Sequence, residues 1–127
     1  MDVTPLIPSG NQIIESYGPS RFRVSGRTFH GSILVFTDRT TEWNPGPLEG
    51  LTQESLGPVM EAGRAGKVEL LLLGCGTRMA LLPGALRTAL RDAGIVIEPM
   101  DTGAACRTYN VLMAEGRKVA AALIVLP

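Results

Sequence analysis

The chain has 127 residues and is 45% hydrophobic, long enough to bury a core without staples and too apolar for a disordered chain. Lysine and arginine balance aspartate and glutamate at 12 each, so no long-range field draws it to nucleic acid or to an anionic membrane. Two cysteines and one histidine cannot build a standard zinc site unaided, and the longest apolar runs fall well short of the roughly 18 residues that a membrane span needs.

Residues 1–11 contain Pro5, Pro8 and Gly10 and are expected to form an extended lead-in. They carry no basic n-region and no apolar h-region, so no secretory signal is expected. The expectation is a soluble, cytoplasmic chain in a reducing compartment, with Cys75 and Cys106 free, although a disulfide between them stays open at this level. Strands are expected over residues 12–17, 21–25 and 28–36, punctuated by Gly18-Pro19 and Ser25-Gly26. In the second, Phe22 and Val24 alternate with Arg21 and Arg23, which suits a sheet with one buried face.

A loop is expected over residues 37–48, with a turn at Trp43-Asn44-Pro45-Gly46-Pro47. Thr52 then caps a helix whose Leu56, Val59, Met60 and Gly63 share one face, and Pro58 should kink it or split it. Residues 68–73 are a strand bounded by charge and glycine. Pro83 starts a helix with an apolar stripe at Leu86, Ala89, Leu90 and Ala93, closed by Gly94. A short strand over 95–98, a helix from Thr102 and a last strand over 118–126 complete the chain. Antiparallel strands followed by alternating strand and helix give a single α/β domain over 1–127, three-layered around a central mixed β-sheet with βαβ units.

Two segments attract a functional reading. The turn Gly74-Cys75-Gly76-Thr77-Arg78 follows an apolar strand, the place where open α/β sheets bind ligands and where glycines let backbone N–H groups meet an anion. Glu98 stands where a dinucleotide fold would hold a ribose. Against a dinucleotide, Met79 replaces the third glycine and the next helix starts only near Pro83. Cys75 could be a nucleophile, but no His–Asp pair lies nearby in sequence to activate it. His30 reads as a structural histidine, and Arg21, Arg23 and Arg27 as a solvated strand face without an aromatic platform for nucleic acid.

The second segment is TGAACRTYNVLMAEGR, residues 102–117. Thr102 can cap this helix, and Gly103 to Ala105 keep its first turn slim. Arg107 and Asn110 project on neighbouring faces, Glu115 can pair with an arginine, and Gly116 lets the chain reverse at Arg117. The candidate pocket is therefore Gly74, Cys75, Gly76, Thr77, Arg107 and Asn110. Cys106, within the helix, is the weaker thiol.

The Trp43 loop, the Gly74-Cys75-Gly76 turn and the run Thr102…Ala105-Cys106-Arg107-Thr108-Tyr109-Asn110…Glu115-Gly116-Arg117 resemble a small family of unknown function. Its eukaryotic members include mitochondrial respiratory complex I (NADH dehydrogenase) assembly factor 3. The family usually reads Gly-Thr-Gly where this chain has Cys75, which weakens a shared role for a hydroxyl there. The resemblance implies a three-layer α/β fold and no established activity, cofactor or metal. It also implies protein partners, among them complex I subunits or assembly factors, with peripheral association at the inner-membrane surface; the charge balance independently leaves no nucleic-acid partner expected. The expected function is thus a non-enzymatic interaction or assembly factor. Its rivals are a small-ligand binder or enzyme using the 74–78 turn, and a homo-oligomer interface on the polar helix.

Overall fold

A computed structural model describes residues 10–127, so the expected lead-in lies, apart from Gly10 and Asn11, outside the described residues. Strands β1 (Ile14–Gly18), β2 (Arg21–Val24) and β3 (Arg27–Phe29) form an antiparallel sheet in that order. Phe22 and Val24 are fully buried while Arg21 and Arg23 face solvent, as a period of two requires. Ser25 and Gly26 both adopt positive φ, the two-residue geometry whose twist matches a tight hairpin.

The single strand expected over 28–36 is two strands in different sheets. After β3 the chain passes through His30-Gly31-Ser32, with Gly31 at φ 138°, and enters β4 (Ile33–Val35) of the central sheet. Only a residue without Cβ takes that backbone angle without strain, and it lets the chain change sheets. The expected 37–48 loop also holds a strand, β5 (Thr40–Glu42), paired antiparallel with β4.

Thr52 does not cap an α-helix. It closes the 3₁₀ turn Glu54–Leu56 by exchanging hydrogen bonds with Ser55, whose Oγ donates to the Thr52 carbonyl at 2.7 Å. Helix α1 (Gly57–Arg64) starts afresh with Pro58 in its first turn, where a missing N–H costs nothing. The proline thus splits the 52–63 pattern into two pieces.

The central sheet runs β5-β4-β8-β6-β7, where β6 is Leu70–Gly74, β7 Val96–Met100 and β8 Val119–Leu123. Strands β7 and β8 flank β6 in parallel, while β4 runs antiparallel to β8. Helix α2 (Gly84–Asp92), preceded by Pro83 as its N-cap residue, joins β6 to β7. Helix α3 (Thr102–Ala114) carries the chain from β7 over β6 to β8. Pro99 sits in β7 at the sheet edge, where a strand tolerates losing a donor.

Leu71, Leu73, Ala120 and Ala122 point to the face covered by α1 and α2. Leu72, Ala121, Leu123, Ile33 and Val35 point to the other, covered by α3 and the three-stranded sheet. The result is an α/β architecture of three layers around a mixed sheet, as the element order implied. The three α-helices among the described residues end in one hydrogen-bond pattern, at Gly66, Gly94 and Gly116, each with positive φ. In α3 the Arg117 N–H donates to Leu112 O and the Gly116 N–H to Met113 O, so the last turn's carbonyls are satisfied before the chain reverses.

Gly63 marks the tightest approach of α1 to the chain entering β7. A Cβ there would overlap the Ile95 side chain and lie 2.7 Å from the Ala93 carbonyl oxygen. Gly63→Ala is therefore expected to destabilise the protein by about 1–3 kcal/mol through overpacking. Gly84→Ala, with nothing within 4 Å, should be neutral or stabilising by up to about 1 kcal/mol. Urea denaturation of the two variants checks this, and an equal stability of both would contradict the packing at Gly63.

Candidate functional site

The turn after β6 is organised by one buried hydroxyl. Gly76 N–H donates to Thr102 Oγ1 at 2.9 Å, and that hydroxyl donates to the Ile124 carbonyl at 2.7 Å. Thr102 N–H returns a bond to Gly76 O at 2.9 Å, Ile124 N–H reaches Gly74 O at 2.9 Å, and Cys75 N–H reaches Met100 O at 2.8 Å. The carboxyl ends of β6, β7 and β8 thereby converge on the first residue of α3. Gly74 is required by the same closeness, since a Cβ would sit 3.0 Å from the Thr102 Cα.

Thr102 is thus not the helix cap. That role falls to Asp101, whose Oδ1 accepts from Ala104 N–H at 2.8 Å. Both residue types favour caps, and their order in sequence leaves the choice open; what separates them is that Thr102 is fully buried.

Arg107 donates from its guanidinium to the hydroxyl of Tyr17 on β1. Gly103 makes room for that ring, because a Cβ there would lie 2.8 Å from the Tyr17 hydroxyl oxygen. Tyr17, Gly76, Thr77, Asp101, Gly103, Arg107 and Leu126 line an open depression of about 270 Å³. Of the six residues grouped from sequence, Gly76, Thr77 and Arg107 meet there. Tyr17, Asp101 and Gly103 join them without having been anticipated. Helical spacing put Gly103 on a slim first turn, but nothing in the sequence linked Tyr17 to a residue so far along the chain.

Gly74, Cys75 and Asn110 do not line the depression. The Asn110 carboxamide accepts from Ile14 N–H at 3.0 Å and donates to Ile14 O at 2.8 Å, pairing with β1 as a neighbouring strand would. The half-buried Cys75 points its Sγ at Leu73 O, 3.6 Å away, and packs against the α1 and α2 side of the core. Cys106 is buried and both thiols are free, which closes the disulfide alternative. Burial pushes the Cys106 thiol from an ordinary 9.0 up to about 12, with Arg107 opposing the shift.

Tyr109 is fully buried, and its hydroxyl donates to Gln12 O at 2.9 Å; burial and then the Asp38 carboxylate push its phenol pKa up. Trp43 donates its indole N–H to Ser55 O at 2.7 Å. Glu115 is the residue after α3, exposed and outside every ion pair found among the described residues. Glu98 is exposed on the edge strand β7, and α2 begins at Gly84, so the helix terminus beside the 74–77 turn is that of α3. His30 is exposed at the change of sheet. Arg21, Arg23 and Arg27 are exposed, with Arg23 3.6 Å from Glu15 and Arg27 4.8 Å above the Phe29 ring. Among the described residues no helix is long and apolar enough to cross a membrane, and no cluster of three or more His, Cys, Asp or Glu is gathered for a metal.

A family model described as protein of unknown function (DUF498/DUF598) matches residues 14–124. The chain belongs to this family. It is 39% identical over 114 residues to an uncharacterised protein of Rhodobacter capsulatus, covering 90% of this chain and 85% of that one. It is 36% identical over 121 residues to NADH dehydrogenase [ubiquinone] 1 alpha subcomplex assembly factor 3 of Danio rerio, covering 94% of this chain and 67% of that protein. A crystal structure of a Bartonella henselae protein, described as an outer membrane protein, superposes with a TM-score of 0.84 at 37% identity, covering 93% of this chain and 98% of that one.

Thr102→Val keeps shape but leaves the Gly76 N–H and the Ile124 carbonyl without their shared partner. It should cost about 1–3 kcal/mol, whereas Thr102→Ser, which keeps the hydroxyl, should cost about 1 kcal/mol. Guanidinium denaturation of the pair checks this; a valine variant as stable as wild type would deny the hydroxyl its bridging role.

The raised Cys106 pKa has a defined consequence for stability. Unfolding frees the thiol to ionise near 9.0, while the folded protein holds it neutral to about 12. The resulting stabilisation is complete below pH 9.0 and declines as the pH rises toward about 12. Between these limits Cys106→Ala should lose stability less steeply with pH than wild type. Parallel slopes in denaturation at stepped pH would show that Cys106 is not the group responsible.

Proposed function

We propose that this chain is a non-enzymatic assembly factor acting through protein contacts in the biogenesis of respiratory complex I, at the cytoplasmic side of the inner membrane. The observation that carries the reading is the 36% identity, over 94% of this chain, to a protein named as a complex I assembly factor. The use made of the family segment supports it. Thr102, Tyr109 and Asn110 are engaged in internal hydrogen bonds, so they hold layers together rather than stand ready for a substrate. Thr77 and the exposed Arg107, which is held by its bond to the Tyr17 hydroxyl, line the open depression and form the surface offered to a partner.

In a strain that possesses complex I, deletion of the gene should lower the assembled enzyme on blue-native gels while its subunits are still synthesised. Re-expression of the wild-type chain should restore it. Undiminished complex I in the deletion strain would sink the proposal.

A further inference from the structure

The chain's charges balance overall but not along its length. From Leu70 to Arg91 it carries Arg78, Arg87 and Arg91 and no carboxylate, so the rest of the chain is negative by the same amount. Strand β6 and the inner face of α2 are buried, and what this segment shows to solvent is the loop from Thr77 to Pro83 and the outer face of α2. All three arginines are exposed and in no ion pair found among the described residues.

The loop carries two apolar side chains that the core does not use. Leu81 is 89% exposed and Met79 57%, whereas Leu82 packs against the core and holds the loop down. Exposed apolar residues scattered singly are ordinary surface. These two stand one residue apart in a stretch without helix or strand, with Arg78 beside Met79 and Arg87 about one turn into α2. At its Thr77 end the loop borders the depression that holds Arg107, whose guanidinium meets a neutral hydroxyl and so keeps its charge. Two carboxylates share these surroundings. Asp101 lines the same depression and caps α3, and Glu54 faces Pro83 and Ala85 across a hollow of about 300 Å³. Four arginines therefore outnumber two carboxylates around the loop and α2, beside one protruding apolar tip.

An anionic phospholipid surface supplies both complements at once and needs no shaped pocket. It offers hydrocarbon to side chains that protrude singly and phosphate to the guanidiniums beside them. Protein interfaces, by contrast, are anchored mainly by tryptophan, tyrosine and arginine, with leucine under-represented. We infer that residues 78–82 form a membrane-contact loop, in which Leu81 and Met79 enter the boundary between headgroups and acyl chains of an anionic bilayer while Arg78 and Arg87 pair with lipid phosphates. The inference deepens the assembly reading by naming what holds the chain at a membrane, and it rests on that reading only for which membrane is meant.

The test is flotation of the purified full chain with vesicles of phosphatidylcholine, alone or with about one-third phosphatidylglycerol. Binding is expected on the anionic vesicles, falling as salt is raised, and little on phosphatidylcholine alone. Leu81→Asp and Met79→Asp change positions that are already exposed, so both should keep the wild-type urea midpoint, and each should weaken binding by about ten-fold or more. Arg78→Gln combined with Arg87→Gln should weaken binding to the anionic vesicles by about ten-fold. Val111→Asp, which adds the same charge at a side chain 57% exposed on α3, should leave binding unchanged. Absence of flotation with anionic vesicles, or equal losses in Val111→Asp and Leu81→Asp, would overturn the assignment. So would a Leu81→Asp chain that fails to restore complex I although wild type binds no vesicles, since the loop would then serve a protein partner. Vesicle binding by a chain whose deletion leaves complex I undiminished would remove the assembly proposal and keep the loop, so the two fail separately.

Discussion

One hydroxyl group closes the carboxyl end of the central sheet. Thr102 Oγ1 accepts from the backbone of the turn leaving β6 and donates to the backbone leaving β8, while its own N–H answers the turn's carbonyl. A buried hydroxyl left without partners would destabilise the fold, whereas one that uses both its donor and an acceptor position fixes three chain segments at once. The helix that follows must then begin where the sheet ends, and its axis is set by that anchor. Everything stacked on α3, including the whole three-stranded sheet, inherits its position from this junction.

Such an anchor works only if backbones approach closely. Gly74 admits Thr102, Gly103 admits the Tyr17 ring, and β8 contributes Ala120, Ala121 and Ala122 from the middle of the sheet, each fully buried. The small residues therefore have a geometric cause. Helix α3 must pass over β6 to reach β8, and larger side chains would hold the layers apart or force overpacking. Gly63 plays the equivalent part on the other face, against Ile95 and the Ala93 carbonyl.

The layer order was legible in the residues because periodicity is a local property. Leu86 and Leu90 on α2 and the apolar run of β6 announce their elements without knowledge of neighbours. Residues 28–36 misled because strand propensity does not say to which sheet a strand belongs; Gly31 alone hinted at the break. Asp101 and Thr102 are both cap formers, and only burial, a tertiary property, separates them. Arg107 and Asn110 were placed on neighbouring faces of the helix from their spacing. The spacing was silent on what lay opposite, namely Tyr17 for one and the backbone of Ile14 for the other.

The polarity of the 102–117 segment, which looks like chemistry in a one-dimensional reading, is mostly joinery. Tyr109 bonds the carbonyl of Gln12, Asn110 pairs both backbone groups of Ile14, and Arg107 holds the Tyr17 hydroxyl. All four bonds tie α3 to residues 12–17, the chain that leads into and forms β1. A helix lying on an otherwise apolar sheet edge could slide, because dispersion contacts have no fixed register; hydrogen bonds to backbone groups do. The polar residues of α3 thus specify where the small sheet docks, and the groups so used are unavailable to a partner or ligand. What the joinery leaves uncommitted at the carboxyl end of the central sheet is Thr77, beside Arg107 at the open depression.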